Sequence, residues 1–307
     1  MNRPARLAPV KDIEPGKVQA RQVWGDSALR YFLYVPQQLR KTAPQFVSVH
    51  GISRNAGEHA MLFAPLAERY GVVLVAPFFP RRYFGDYQRL GRAGRGRRAD
   101  RALQQISREV ESLTGAGSRK ISLFGFSGGG QFAHRYTMAY PEHVERVVIG
   151  AAGWYTYPDE TCRFPYGTAP TSRLSDIRFD LKRFLQVPAC VLVGQWDIRR
   201  DPGLNQAEKI HRQQGTTRLE RGKRWIDAMN RAAMAHGTGT PYEFTILPRV
   251  GHDFTRAMQN GRLDQRVFSY LFGPVAPFDV PAKDTRQQEI RDTGHDFPVF
   301  MLSGEHK

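Results

Sequence analysis

The sequence predicts an α/β fold, a mostly parallel, doubly wound sheet with helices on both faces and a cap-like insertion after the sixth strand. Three observations predict it. Short apolar runs alternate with amphipathic stretches along most of the chain, the order that builds βαβ units. The run at 72–76, Val-Val-Leu-Val-Ala, is apolar without alternation, as a strand buried on both faces is. Finally, His50, Ser127, Asp197 and His252 all fall at the carboxyl ends of predicted strands, where sites form in such sheets.

Taken in order, residues 19–23 and 29–35 read as an antiparallel hairpin at a sheet edge, because the second run alternates Tyr31, Leu33 and Val35 against Phe32 and Tyr34. A short strand at 46–49 ends in His50-Gly51. A helix at 57–70 carries Met61, Leu62 and Leu66 on one side and is closed by Gly71. After the strand at 72–76, residues 77–98 form a long aromatic and basic loop. Ala102, Leu103, Ile106, Val110 and Leu113 recur at helical spacing, so 99–113 is a helix. A buried strand at 121–124 runs into Gly125-Phe126-Ser127-Gly128-Gly129, and a helix over 129–140 stops before Pro141. Strands at 144–151, 189–194 and 242–247 follow, with helices at 204–213, 219–236 and 265–272. The chain therefore divides into a leader at 1–18, a core at 19–152 and 187–273, the insertion at 153–186, and an irregular tail at 274–307.

With 307 residues, 41% hydrophobic and 24% charged, the chain has the composition of a soluble globular protein with a large core. No run approaches the ~18 apolar residues of a membrane span, and the start lacks a signal-peptide pattern, so a cytoplasmic location is expected. Two cysteines, Cys162 and Cys190, make no disulfide framework, and Cys190 reads as a small core residue. The formal net charge of +16 permits contact with nucleic acid or anionic surfaces. No stacking motif, zinc spacing or recognition-helix pattern accompanies it, so a nucleic-acid partner is not expected. The nine histidines do not fall into metal-ligand spacing, and neither metal nor cofactor is implied.

The chemistry centres on Gly125-Phe126-Ser127-Gly128-Gly129 between a strand and a helix. Such a turn projects the serine hydroxyl above the sheet, and glycines flank it because a Cβ would collide with neighbouring backbone. A serine hydroxyl needs a base within reach, and His252 follows the last strand in a Gly-His turn. The base needs a carboxylate to fix its tautomer; Asp197 follows the preceding strand. Two competitors exist. Asp201 is an alternative acid if the turn is longer, although Pro202 beside it suits a helix cap. Gly294-His295-Asp296-Phe297 nearly copies the segment around His252, but no strand precedes it. Developing negative charge calls for backbone N–H donors, expected at Gly128 and at Ile52, with Ser53 as the alternative. His50 is expected to pack and hydrogen-bond beneath the site.

Together, the His50-Gly51 turn, the Ser127 elbow, Asp197 and Gly251-His252 resemble the α/β-hydrolase superfamily over roughly 23–272. The run His50-Gly51-Ile52-Ser53-Arg54-Asn55-Ala56 is similar to the intracellular esterase and polyhydroxybutyrate-depolymerase-like branch. The resemblance implies the α/β-hydrolase fold and hydrolysis of carboxylic esters through an acyl-enzyme on Ser127, His252 and Asp197. It departs from secreted polymer degraders in its few cysteines, so a small-molecule ester is the expected substrate. Amide or peptide hydrolysis is one alternative; a catalytically silent scaffold that binds an anionic partner is another. Two aromatic segments, around Phe78–Tyr87 and Trp154–Tyr166, are placed to roof the pocket, and Phe79, Tyr83, Trp154 and Tyr155 are the expected substrate contacts. The competing reading is that such rings pack the insertion onto the sheet. Between them Arg89, Arg92, Arg95, Arg97 and Arg98, spaced by glycines, read as a solvated, mobile loop, with the holding of an anionic substrate or non-specific contact to phosphates as the alternative.

Overall fold

A computed structural model describes residues 13–116, 120–200 and 203–274. Asp201, His295, residues 1–12 of the leader and the tail from 275 lie outside the described residues.

One eight-stranded sheet has the order β1-β2-β4-β3-β5-β6-β7-β8. The antiparallel edge pairs β1 (Val18–Gln22) with β2 (Arg30–Tyr34), and β2 runs antiparallel to β4 (Val73–Phe78). From β4 onward the sheet is parallel: β3 (Gln45–Val49), β5 (Ile121–Phe126), β6 (Val144–Gly150), β7 (Ala189–Gly194) and β8 (Tyr242–Leu247). The helices are α1 (Ala56–Tyr70), α2 (Ala99–Thr114), α3 (Gly128–Ala139), α4 (Leu181–Phe184), α5 (Glu208–Gln214), α6 (Arg218–Ala235), α7 (Phe254–Gln259) and α8 (Leu263–Phe272). No described helix is long and apolar enough to cross a membrane.

Strand side chains alternate between two cores, one on each face. In β7, Ala189, Val191 and Val193 join Leu103, Phe132 and Trp225 of α2, α3 and α6. Cys190 and Leu192 join Phe63, Phe254 and Phe268 of α1, α7 and α8. Burial pushes the Cys190 thiol up to about 12, as a core thiol requires. Each large side chain so buried contributes about 1.5–3 kcal/mol, and the two faces clamp the sheet whose carboxyl-end rim carries the site.

The expected elements form with small shifts at their ends, except at 204–213, where the helix is only α5. After β6, residues 153–186 add two short turns of helix, Ser172–Leu174 and α4. Tyr155, Phe164, Leu174, Ile177 and Phe184 from this insertion are buried in the same core as α3.

The arginine segment departs from the expectation of a solvated loop. Arg89 and Arg92 pair with the buried Asp86 at 2.6 and 2.8 Å, Arg97 pairs with Asp26, and Arg98 and Arg101 both reach Asp176, at 2.5 and 2.8 Å. Its glycines serve close approach as well as turning. A Cβ on Gly91 would lie 2.0 Å from the Arg97 carbonyl, and one on Gly96 would lie 2.9 Å from the Tyr83 carbonyl. Asp86 lies within the segment, but Asp26 and Asp176 lie 71 to 78 residues in sequence from the arginines they meet, so a reading of local composition misses them.

Candidate active site

At the end of β5 the backbone turns sharply at Ser127, which has φ 54° and ψ −111°. A non-glycine residue at positive φ costs on the order of 1–3 kcal/mol and persists only where its surroundings enforce it. The Ser127 N–H donates to the Gly150 carbonyl at 2.7 Å, and the Ser127 carbonyl accepts from the Gln131 N–H at 3.1 Å. Glycine is required on both sides: a Cβ on Gly125 would sit 2.1 Å from the Gly129 carbonyl, and one on Gly129 would sit 2.0 Å from the Val49 carbonyl. The turn is thus wedged between β3 and β6.

His252 follows β8, just before α7. Its ring stacks on Phe126, with centroids 5.5 Å apart and planes 21° apart. Asp253 caps α7 by accepting from the Arg256 N–H at 2.7 Å, which fixes the direction of the preceding backbone. His252 Nε2 lies 3.0 Å from Ser127 Oγ, and His252 Nδ1 lies 2.7 Å from Asp197 Oδ2. A carboxylate beside Nδ1 selects the tautomer protonated there, leaving Nε2 to accept the serine proton.

Asp197 is buried in a turn after β7, where Trp196 N–H donates to the Val250 carbonyl at 2.8 Å and Asp197 N–H donates to Gly194 at 3.0 Å. The structure adds a residue the sequence did not point to. Arg218, the first residue of α6, donates from Nη1 to Asp197 Oδ1 at 3.2 Å in a buried contact. The start of α6 is set by a capping box, Thr217 with Glu220, a visible signal for helix position. Nothing local indicates which carboxylate the arginine meets.

Gly128 opens α3 directly after the serine. Among the described residues, the backbone N–H groups of Gly128 and Ile52 have no hydrogen-bond acceptor; Ile52 lines the same cleft as Ser127, and a Cβ on Gly128 would lie 3.1 Å from the Ile52 side chain. His50 lies beneath. Its Nε2 accepts from the Phe79 N–H at 3.0 Å, so Nδ1 carries the proton given to the Gly51 carbonyl at 2.7 Å. Burial pushes its pKa down to about 4, so at neutral pH it is an uncharged brace, consistent with the packing role expected of it.

Ser127, His252, Ile52, Gln88, Arg89 and Trp154 line a cleft of about 720 Å³. Of the four aromatics expected to contact substrate, Trp154 is in this lining; Phe79, Tyr83 and Tyr155 are not. Phe79 is fully buried because it turns from the end of β4 onto α3, packing against Phe84, Tyr87 and Phe132. Tyr155 is buried against Trp225 and His134. Tyr83 is partly exposed in the arginine segment, outside the cleft. A larger trough, about 1310 Å³, borders β1 and shares Asn55, Glu58 and Thr255 with the cleft, but it lacks Ser127 and His252.

Behind the cleft wall lies Arg135, fully buried. Its Nε donates to Thr156 Oγ1 at 2.9 Å, its Nη1 donates to the Gln88 carbonyl at 2.7 Å and to Gln131 Oε1 at 3.2 Å, and its Cζ sits 4.2 Å over the Trp154 ring. Gln88, Gln131 and Trp154 all line the cleft, so this guanidinium ties its wall together. Among the described residues no group of three His, Cys, Asp or Glu is arranged to hold a metal ion.

No family model matches the chain, and no curated protein does. Solved structures do. A poly(aspartic acid) hydrolase from Sphingomonas sp. KT-1 superposes with TM-score 0.70 at 24% identity, covering 83% of this chain and 100% of that one. A poly(3-hydroxybutyrate) depolymerase from Bordetella parapertussis gives 0.69 at 24% identity, covering 85% and 92%. A fluorophosphonate-binding serine hydrolase of Staphylococcus aureus gives 0.53 at 12% identity, covering 84% and 99%. These likenesses establish the fold: the chain has the α/β-hydrolase fold, with an open, mostly parallel eight-stranded sheet.

Proposed function

We propose that this α/β-hydrolase-fold protein is a serine hydrolase that cleaves carboxylic esters of small molecules through an acyl-enzyme. The observation that carries the reading is the continuous relay from Ser127 Oγ through His252 to Asp197, at 3.0 and 2.7 Å, with Ser127 and His252 lining one cleft and the Gly128 and Ile52 N–H groups without an acceptor among the described residues. Ser127 attacks the ester carbonyl while His252 Nε2 takes its proton, and Asp197 stabilises the imidazolium. The oxyanion of the tetrahedral intermediate sits against the N–H groups of Gly128 and Ile52. His252 then protonates the leaving alcohol, and water attacks the acyl-serine with the same histidine as base, releasing the acid. Ester and water become acid and alcohol, with no cofactor.

Amide hydrolysis is the second reading, since the neighbour acting on poly(aspartic acid) shares the fold and the same relay serves a poorer leaving group. Parallel assays of matched p-nitrophenyl esters and p-nitroanilides rank the two. The decisive test is fluorophosphonate labelling with mapping of the modified residue, alongside Ser127→Ala. Label on Ser127 and a loss of roughly 10⁴-fold or more in kcat are expected. Label elsewhere would overturn the site assignment, and no label with salt-sensitive binding of an anionic partner that survives Ser127→Ala would replace the hydrolase reading by that of a silent scaffold.

A further inference from the structure

The turn Tyr87–Arg89 lies against the nucleophile's neighbour: a Cβ on Gly128 would be 2.5 Å from Tyr87 Oη and 2.8 Å from Gln88 Nε2. This brings Arg89 to the cleft wall with 33% of its side chain exposed. Its charge is only partly compensated. Asp86 is one carboxylate serving both Arg89 and Arg92, and Arg135, buried behind Gln88 and Gln131, contacts no carboxylate among the described residues. The Nη2 of Arg135 is buried with no partner. Burial first, then the like charges of Arg89 and Arg92, disfavour its charged form, while Asp86 only partly offsets them. The acids of the cleft rim do not cancel this excess. Glu58 is engaged by Asn55 and Thr255, and Asp253 caps α7.

A buried cluster of guanidiniums sharing one carboxylate is stabilised by a further anion, and a carboxylate fits a guanidinium in bidentate fashion. The leaving oxygen of a substrate must face His252 Nε2 and the carbonyl oxygen the N–H donors, so the acyl chain takes the remaining corner, into the cleft that Arg89 also lines. We propose that Arg89 anchors a carboxylate at the far end of the acyl group, so that the preferred substrates are half-esters of dicarboxylic acids. This rests on the ester-hydrolase reading and specifies its substrate class.

The test uses p-nitrophenyl half-esters of succinic, glutaric and adipic acids, each paired with the neutral acyl ester of matched length. The expected result is a higher kcat/KM for the half-ester at one chain length. That ratio should fall about ten-fold or more in Arg89→Gln, the loss of one charge-assisted contact. Arg89→Lys should keep part of it. Arg183→Gln removes an equal charge from the exposed start of α4 and should leave the ratio unmoved, separating a local anchor from the field of a basic protein. Retained fluorophosphonate labelling shows that each variant is folded. Hydrolysis of all esters with no half-ester preference, or with a preference that Arg89→Gln leaves intact, overturns the anchor and leaves the hydrolase reading standing. If no ester is cleaved, the ester-hydrolase reading fails. Calorimetry with glutarate on the wild-type and Arg89→Gln proteins then decides the anchor by itself: equal or undetectable binding to both rejects it.

Discussion

The turn at Ser127 and the arginine segment beside it are both rich in glycine, and both border the same cleft, yet they are built by different forces. The turn is held by backbone. Gly125 and Gly129 leave no room for a methyl, and the strained φ of Ser127 is enforced by hydrogen bonds to neighbouring strands and its own helix. The segment at 86–101 is held by charge, through arginines that reach Asp86, Asp26, Asp100 and Asp176. Steric constraint over five residues writes itself into a short motif. Long-range ion pairing leaves only a composition, which looks the same whether the charges are paired or solvated.

A pair of glycine substitutions sharpens that contrast and carries the largest expected effect. Gly129→Ala forces a methyl against the Val49 carbonyl, a backbone atom that cannot move without shifting β3. A loss of more than about 4 kcal/mol, or failure to yield folded protein, is expected in denaturant melts. Gly94, unlike Gly129, has positive φ, +76°, but nothing lies within 4 Å of its hypothetical Cβ. Gly94→Ala should therefore cost only the conformational penalty, about 1–2 kcal/mol. Equal losses at the two positions would break the distinction between a wedged turn and a merely bent one.

The complementary change attacks the charges. Burial alone would raise the Asp86 carboxyl, but Arg92 and Arg89 hold it below the usual carboxylate range. Asp86→Asn keeps the shape and removes the only carboxylate, among the described residues, that these two arginines pair with. Removing one partner of a buried ion pair typically costs about 3–5 kcal/mol; because Arg89 is a third exposed, the low end is expected, read from urea unfolding. A loss below about 1 kcal/mol would show that packing of Phe84, Tyr87 and Leu90, rather than charge, secures the segment.

The same division decides what could be read from the sequence. The sheet was legible because burial on both faces demands unbroken aliphatic runs such as Val73–Val75, and Ser127, Asp197 and His252 were legible as candidates because each follows a strand signal. The aromatics were not. Phe79, Tyr83 and Tyr155 have the composition of a pocket wall, but whether a ring faces a cleft or a core depends on the turn after β4 and on the packing of the insertion against Trp225. Arg89 was visible only as one arginine of a basic loop, and Arg135 and Arg218 were not visible as site residues at all, because the Gln88 and Thr156 that meet Arg135 and the Asp197 that meets Arg218 lie on other elements.

Arg218 belongs to both kinds of construction, and its removal has the smallest expected effect. It touches Asp197 Oδ1 while His252 holds Oδ2, so it fixes the carboxylate's rotation without touching a reacting atom. In the proposed relay it is a positioning residue acting through the acid. Losing the acid itself costs ~10⁴-fold in such relays. Arg218→Met, which keeps the apolar stem in its buried place, should lower kcat roughly ten-fold with little change in KM, because a slightly rotated carboxylate still orients the imidazole most of the time. Arg218→Lys should recover part of the loss, since the charge can still reach one oxygen. A variant that raised KM at constant kcat, or a lysine no better than methionine, would assign Arg218 to the packing of α6 instead of to the relay.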